Sequence, residues 1–474
     1  MTTTPLRTTN RYLSGSFAPV TEEVTAHDLP VTGRIPAHLT GRYLRTGPNP
    51  LGVEDPAAHL WTLGEGMVHG VRIRAGRAEW YRNRWVRSAA VADRLGEPRR
   101  SAAVADRLGE PRRGAPVDER TDFAPNVQVA GVNGRTFALI EGGLKPYELT
   151  YDLDTVGPCD LGGTPEGYTA NAHSVFDPHT RELHSLAFRY GSDAVQHIVM
   201  DDTGAVRRVT TVPAPGSPYM HDFALTDRYV VLYDSPVVFS AAHLGTGVPF
   251  TWDDTHQARV GVMPREGGDV RWFEVAPGLV GHTLNAHQDG TDLVIDVVRH
   301  PEGFDIRDFG TSRPTLERWT VDLTAGRVRE ERLDDRIQEF PRINSRHTGR
   351  PYRYGYAAAV ELYAPAAGPD DHRPDEGFSS ALLKHDLLRG STEAHEFGRY
   401  GAVGEGVFVP AESPTAEDDG YVMAYVHDPG RGAADLVILA AQDFTGEPVA
   451  RIHLPVRVPL GLHGNWVPDD ASAG

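Results

Sequence analysis

The chain of 474 residues lacks the features that mark disulfide-bonded, iron–sulfur and membrane-spanning proteins. Its one cysteine, Cys159, excludes an internal disulfide, a cysteine-rich zinc site and a cysteine-ligated iron–sulfur cluster. No apolar run approaches the roughly 18 residues that a membrane-spanning helix needs. The first residues carry neither the charged nor the apolar region of a signal peptide. We therefore expect a cytoplasmic protein in which histidine and carboxylate hold any metal.

Positive charge is also scarce, since 47 Lys and Arg face 65 Asp and Glu, for a net charge of −18. So acidic a balance argues against nucleic acid as a partner. The glycine patterns GxGxxG and GxxxxGK[ST] and the elbow GxSxG are absent as well. Nicotinamide, nucleoside triphosphate and serine hydrolase chemistry are thereby disfavoured, which leaves a reaction that balances its own electrons or uses a bound metal.

Short strand-like runs between frequent glycines and prolines are what the chain does contain. Fifty glycines and 36 prolines separate runs of four to eight residues rich in β-branched and aromatic side chains, such as YVVLYD at 229–234. At this length the pattern predicts an all-β propeller, because blades of about 40–50 residues add radially around one axis. We interpret five dipeptides as turns: Asn133-Gly134, Thr203-Gly204, Asp289-Gly290, Asp419-Gly420 and Thr445-Gly446.

One exact repeat occurs: SAAVADRLGEPRR stands at residues 88–100 and again at 101–113. Thirteen residues are too few for a blade, so we interpret 88–113 as a tandem duplication in a surface loop. Each copy is predicted to be a short helix with serine as N-cap and an end at Gly-Glu-Pro. We expect the second copy to be looped out without a chemical role. Residues 1–474 are predicted to form one domain, with 1–10 as a flexible tail.

Four of the 21 histidines stand in distinctive local sequences, namely His173, His221, His282 and His463. The first three follow one another at 48 and 61 residues, about one blade each, and the fourth lies 181 residues further on. Inner strands of successive blades face one axis, so these rings can converge there. Neutral imidazoles suit iron, copper, zinc or nickel. Position alone also allows each to be an ordinary core or surface residue.

Eight sequence blocks, in order along nearly the whole chain, carry a family resemblance. They are GRIPAHLTGRYLRTGPNP at 33–50, followed by residues 60–73, 80–88, 137–149, 258–267, 338–356, 405–411 and 450–466. Together they resemble the carotenoid cleavage oxygenase family. The resemblance implies a seven-bladed β-propeller with a dome of loops and helix over one face, and one iron(II) per chain on the axis.

The resemblance also assigns site residues. It implies that the iron ligands are His173, His221, His282 and His463, and that three glutamates orient three of these rings: Glu141, Glu339 and Glu405. His173 departs from the family pattern Thr-Ala-His-x-x-x-Asp-Pro, because Asn171 and Ala172 separate it from Thr-Ala. Its spacing to Asp177-Pro178 is kept, so it remains the expected ligand.

Four ligands on a six-coordinate iron leave up to two positions for dioxygen or water. Splitting an alkene with O2 gives two carbonyls without an external reductant, which agrees with the missing nucleotide patterns. The expected partners are therefore O2 and an apolar polyene or aromatic alkene. The resemblance further implies an apolar patch for peripheral membrane contact, and it leaves the oligomeric state open.

One position bears on the substrate. Stilbene-cleaving members resemble one another in a lysine before the first glutamate, where this chain has Ile140, and Lys145 stands in a one-residue insertion nearby. An unpaired phenol in an apolar tunnel loses binding energy, so Ile140 favours a carotenoid or apocarotenoid. Cleavage of a hydroxystilbene remains the alternative. A retinoid isomerase and, from another class, a non-catalytic ligand-binding propeller also remain open.

Overall fold

The computed structural model describes residues 10–99, 122–159, 164–165, 168, 172–244, 248–307, 312–360, 380–398 and 401–469. Their strands form seven antiparallel sheets, which are the blades of a β-propeller, and one separate two-stranded hairpin. The described part contains one α-helix, α1, at Ala89–Leu95. The predicted seven-bladed, nearly all-β fold is confirmed.

Four blades consist of four consecutive strands each, joined as antiparallel neighbours. Numbered around the ring, blade 2 holds β6 (Gln128–Val132), β7 (Arg135–Leu139), β8 (Tyr147–Leu149) and β9 (Thr155–Pro158), and blade 3 holds β10 (Val175–Asp177), β11 (Glu182–Ala187), β12 (Ala194–Met200) and β13 (Val206–Pro213). Blade 5 holds β20 (Leu279–Asp289), β21 (Asp292–His300), β22 (Thr315–Asp322) and β23 (Arg327–Asp334), and blade 6 holds β24 (Glu339–Ile343), β25 (Tyr354–Val360), β26 (Ser380–Asp386) and β27 (Ser391–Glu396).

Blade 4 carries the separate hairpin as an insertion between its second and third strands. The blade holds β14 (Phe223–Leu225), β15 (Tyr229–Asp234), β18 (Arg259–Pro264) and β19 (Arg271–Glu274), and the hairpin is β16 (Val237–Phe239) with β17 (Phe250–Trp252). Hairpin residues pack into one hydrophobic cluster with residues of blades 3 and 4. The insertion therefore places aromatic side chains beside the start of β14.

Strands from both ends of the chain close the ring twice. Blade 1 holds β1 (Thr25–His27), β3 (Gly41–Pro48), β4 (Gly66–Arg74), β5 (Arg77–Trp85) and the C-terminal β33 (Gly464–Pro468). Blade 7 holds the N-terminal β2 (Val31–Gly33), β28 (Ala402–Val403), β29 (Val407–Pro410), β30 (Gly420–Asp428), β31 (Ala433–Ala440) and β32 (Ala450–His453). Strand β33 pairs with β3, and β2 pairs with β32, so neither blade is complete without both ends.

Local sequence explains the strands and some of the turns. The run YVVLYD coincides with β15. Asn133 and Gly134 both have positive φ, 48° and 72°, between the paired residues Val132 and Arg135, which is the geometry of a type I′ hairpin. Gly420, in contrast, is the first residue of β30. A Cβ there would lie 2.5 Å from the Val409 carbonyl oxygen, so this glycine serves close packing and the turn interpretation was wrong.

The first copy of the repeat forms α1, as predicted. The Ser88 hydroxyl accepts a hydrogen bond from the Val91 backbone N–H at 3.3 Å, and Gly96 ends the helix in the left-handed conformation with φ 66°. Residues 101–113, the second copy, lie outside the described residues, as do residues 1–9 of the predicted tail. Within the described residues, no helix has the length and apolar character that crossing a membrane requires.

A buried histidine pair in blade 3 gives the fold a dependence on pH. The Arg265 guanidinium donates to Nε2 of His184 at 2.8 Å, so His184 carries its proton on Nδ1 and donates it to Nε2 of His197 at 3.0 Å. Both side chains are fully buried. Burial lowers the pKa of each to about 3, so both remain neutral in the folded protein above that pH.

We expect this pair to destabilise the fold as the pH falls from 7 to 5. The unfolded histidines take up protons below pH 6.5 and the folded ones do not, which costs about 2 kcal/mol of unfolding free energy for each. Urea unfolding at pH 7, 6 and 5 measures the slope. In the variant His197→Gln, the loss of unfolding free energy between pH 7 and pH 5 is expected to be smaller by the contribution of one histidine. An unchanged slope in that variant would contradict the assignment.

Candidate metal centre

The four histidines singled out from the sequence lie together at one end of the axis. His173 and His221 each lie two residues before an inner strand, β10 and β14, respectively. His463 directly precedes the inner strand β33, and His282 lies near the start of β20. Ring centroids are 4.2 Å apart for His173 and His221, 4.6 Å for His173 and His463, and 4.7 Å for His282 and His463. Four blades thus contribute one ring each.

The ring nitrogens approach one another as ligands of one ion do. Nε2 of His282 lies 3.3 Å from Nε2 of His221 and 3.1 Å from Nε2 of His463. Ligand atoms of His173, His282 and His463 all lie within 4.8 Å of one another. Nitrogens about 2.0–2.1 Å from a shared ion sit roughly 3.0–3.4 Å apart at neighbouring positions. The spacing therefore fits a divalent transition metal.

A carboxylate lies behind three of the rings. The Nδ1 atoms of His221, His282 and His463 face Glu141 at 2.9 Å, Glu339 at 2.5 Å and Glu405 at 3.0 Å, respectively. All three glutamates are buried. A carboxylate accepts the Nδ1 proton, so each imidazole is held in the tautomer whose Nε2 carries a lone pair.

This tautomer makes the centre attractive to a cation. The lone pairs of three Nε2 atoms point toward one another, and two acceptors cannot satisfy each other by a hydrogen bond. Burial alone would lower the pKa of His282, yet the Glu339 carboxylate raises it above its ordinary value. At His282 the carboxylate thus favours positive charge, and nitrogen donors of this kind fit iron, copper, zinc or nickel.

His173 completes the cluster from a different setting. Its ring stands at 89° to that of His463, and its Nε2 lies 3.5 Å from Oε1 of Glu141. Of the two residues that separate it from the family pattern, Asn171 lies outside the described residues and Ala172 is buried. Burial holds the pKa of His173 well below its ordinary value and lowers that of His463 to about 4. Both rings are therefore neutral at pH 7, as metal ligands must be.

Two of the carboxylates behind the rings, those of Glu339 and Glu405, are ionised. Burial would raise the pKa of Glu339, but His282 holds it well below its ordinary value. Burial opposes ionisation of Glu405 in the same way, and Arg342 and His463 outweigh it. Negative charge is thus available one layer outside the imidazoles, where it raises their basicity.

Each glutamate has a further partner that the sequence analysis missed. The Tyr219 hydroxyl donates to Oε2 of Glu141 at 3.0 Å, Nε2 of His300 lies 2.9 Å from Oε1 of Glu339, and Nε of Arg342 donates to Oε1 of Glu405 at 2.7 Å. Tyr219 and Arg342 stand two or three residues from a predicted site residue, which was the available clue. His300 lies 39 residues from Glu339 and had none.

A cavity and an aromatic surface adjoin the centre. The cavity, of about 900 Å³, runs along the inner strands from His173, His282 and His463, and its walls combine apolar side chains such as Phe223 and Phe340 with charged ones such as Arg342. Beside His221, the Tyr219 ring stacks on the imidazole at 5.0 Å and continues into the aromatic cluster that contains Tyr190, Phe239 and Phe250. An apolar molecule can therefore contact the centre.

Comparison with known proteins agrees with these features. The family model described as RPE65, retinal pigment epithelial membrane protein, matches residues 17–468. A carotenoid cleavage oxygenase from Mycobacterium tuberculosis is 44 % identical over 97 % of this chain and 98 % of that protein. Two solved structures each have a TM-score of 0.80 and cover 97 % of this chain and 98 % of theirs: a variant of the Synechocystis apocarotenoid oxygenase at 26 % identity and a Pseudomonas brassicacearum lignostilbene dioxygenase at 28 %. The chain belongs to the RPE65 and carotenoid cleavage oxygenase family and is an oxygenase.

Proposed function

We propose that the chain binds one iron(II) through His173, His221, His282 and His463 and cleaves a carbon–carbon double bond of a carotenoid or apocarotenoid. Both products are carbonyl compounds, and O2 supplies the oxygen. The observation that carries the proposal is the cluster of Nε2 lone pairs around one point, with a carboxylate behind three of the rings, in a chain of this family.

The chain's own residues hold and orient the centre. The four imidazoles are neutral donors, so the carboxylates of Glu141, Glu339 and Glu405 balance the charge of a bound dication from one layer further out. Their hydrogen bonds to Nδ1 fix each ring and raise its basicity. Iron(II) held by these residues would supply the activation of O2.

Aromatic rings beside His221 support a conjugated apolar substrate. Tyr190 and Phe239 are partly exposed and stack at 6.4 Å with 15° between the rings, and the Tyr190 ring lies against Gly142, next to Glu141. Flat apolar faces of this kind suit a polyene. The buried residue Ile140 has an uncharged aliphatic side chain, so this position offers no cation to a phenol.

A hydroxystilbene is the second candidate substrate. The fold similarity to the lignostilbene dioxygenase equals that to the apocarotenoid oxygenase. Lys145 is half-buried, five residues beyond Ile140, and is the nearest ammonium group in sequence that a phenol could use. These two observations keep aromatic aldehydes among the products to be sought.

Incubation with labelled oxygen tests the proposal. The iron-loaded protein receives an apocarotenal or a hydroxystilbene under ¹⁸O2, and mass spectrometry identifies the aldehydes. We expect labelled aldehydes from the apocarotenal. Labelled aldehydes from the hydroxystilbene alone would establish the second candidate instead. Turnover that continues under strict anaerobiosis, or products without label, would contradict cleavage by O2 and favour isomerisation.

A further inference from the structure

The three carboxylates of the metal centre differ in the group that binds them from outside. Glu141 accepts from a neutral phenol, Glu339 contacts an imidazole, and Glu405 accepts from a guanidinium, contributed by Tyr219, His300 and Arg342, respectively. Of these three outer groups, the guanidinium alone carries a permanent positive charge. The rings in front of the glutamates are therefore not equivalent.

Arg342 is placed so that it competes with an imidazole for one oxygen atom. From β24, its Nε donates to Oε1 of Glu405 at 2.7 Å, and the same Oε1 accepts from Nδ1 of His463 at 3.0 Å. Its Nη2 donates to the Gly464 carbonyl oxygen at 3.0 Å, and the Gly464 N–H donates to Oε2 of Glu405 at 2.7 Å. These bonds fix the guanidinium, the carboxylate and the residue after His463 as one unit.

Glu339 is arranged differently. His282 uses its Oε2 and His300 its Oε1, so no oxygen is shared between the two rings. A Cβ at Gly281 would lie 2.4 Å from that Oε1, so the glycine leaves the space that the contact with His300 occupies. An oxygen with two donors is not confined to Glu405, since Oε2 of Glu339 also accepts from the Phe340 N–H, and Oε2 of Glu141 lies 3.0 Å from both the Tyr219 hydroxyl and Nδ1 of His221. What is particular to Glu405, which is 1 % exposed, is that its second side-chain donor is a permanent cation, the 28 % exposed Arg342.

We infer that Arg342 is a positioning residue that withdraws negative charge from Glu405 and makes His463 a weaker donor than His282 toward a bound metal. The inference rests on the proposed iron site. A carboxylate oxygen that also accepts from a charged guanidinium gives less to the imidazole, and a less polarised imidazole is a poorer ligand base. A fixed cation near the site also opposes the third positive charge of iron(III) more than the two of iron(II). Both effects favour iron(II).

The reduction potential of the bound iron tests this role. We expect Arg342→Gln to raise the ratio of iron(III) to iron(II) about tenfold at a fixed ambient potential, which is a downward shift of about 59 mV for one electron. Arg342→Lys keeps the charge and is expected to stay within about twofold of the wild type. Redox titration of the iron-loaded protein, followed by the electron paramagnetic resonance of iron(III), measures both.

A matched control and a second neutral variant accompany the titration. Arg318, in the third strand of blade 5, binds Asp296 at 2.7 and 2.8 Å, and Arg318→Gln is expected to leave the potential unchanged. Arg342→Met replaces Arg342→Gln if that variant does not fold. Equal potentials in the neutral variant and the wild type would overturn the inference. Equal shifts of the potential in the lysine and neutral variants would overturn it as well, because the shift would then come from the lost shape of the arginine side chain and not from its charge.

A metal-free measurement separates this inference from the proposed function. Wild-type protein that retains no iron would refute the proposed function and would leave the hydrogen bond itself to be measured. The Nδ1–H resonance of His463, assigned by its disappearance in His463→Ala, reports that bond by nuclear magnetic resonance. A downfield shift in Arg342→Gln with no shift in Arg342→Lys supports the inference, and identical resonances in all three proteins overturn it.

Discussion

His463→Ala is expected to abolish iron retention and alkene cleavage together. The substitution removes one of four neutral donors and leaves the Glu405 carboxylate, buried to 1 % exposure, with Arg342 as its remaining side-chain partner. His221→Ala is expected to have the same effect, because its Nε2 lies 3.3 Å from that of His282. Iron content after gel filtration and product formation under O2 measure the two losses.

His453 supplies the control for a lost histidine. Its Nδ1 lies 2.9 Å from the Asp435 carboxylate in blade 7, which reproduces the imidazole–carboxylate pairing away from the axis. His453→Ala is expected to retain iron and turnover. Iron content and activity at wild-type level in His463→Ala would exclude His463 as a ligand and, with it, the four-histidine site.

Glu339→Gln is expected to weaken iron binding by about 10–100-fold. The carboxylate accepts from Nδ1 of His282 and from the Phe340 N–H with Oε2, and it contacts Nε2 of His300 with Oε1. An amide of the same shape removes the negative charge and turns an NH2 group toward one of these neighbours. Competition with a chromophoric chelator measures the affinity without reference to turnover.

Two further variants decide how that loss arises. Gly281→Ala is expected to lower the affinity in the same direction, because its Cβ would lie 2.4 Å from Oε1 of Glu339. Glu317, which is buried and bound to Arg299 in blade 5, is a matched glutamate outside the centre, so Glu317→Gln should leave iron affinity unchanged. Wild-type affinity in both Glu339→Gln and Gly281→Ala would show that Glu339 does not support the metal.

Local patterns predicted much of the fold because strands and hairpin turns are set by neighbouring residues. The run at β15 and the Asn133-Gly134 turn are examples. The same reasoning was wrong at Gly420, since an Asp-Gly pair does not reveal whether the glycine turns the chain or admits a neighbouring backbone. Ring closure could not be predicted from local sequence, because β2 pairs with β32 across more than 400 residues, as the contact of Thr32 with His453 illustrates.

In the candidate site too, some residues could be predicted from the sequence and others could not. Blade-length spacing and local sequence indicated that His173, His221, His282 and His463 could meet, and the family resemblance added the glutamates. The structure brings the four rings together. The outer partners required coordinates: His300 reaches Glu339 because its own strand pairs beside β20, and no spacing rule connects the two residues.

The double closure of the ring sets the timing of biogenesis. Blades 2 to 6 can form in order as they leave the ribosome, because the strands of each come from one continuous segment. Blades 1 and 7 must wait for the C-terminal segment, and His463 arrives with it, directly before β33. A nascent or truncated chain that lacks this segment offers three imidazoles and an unpaired edge at β3, which invites association between chains. The proposed iron site therefore has its fourth imidazole only after translation, at the event that removes the aggregation hazard.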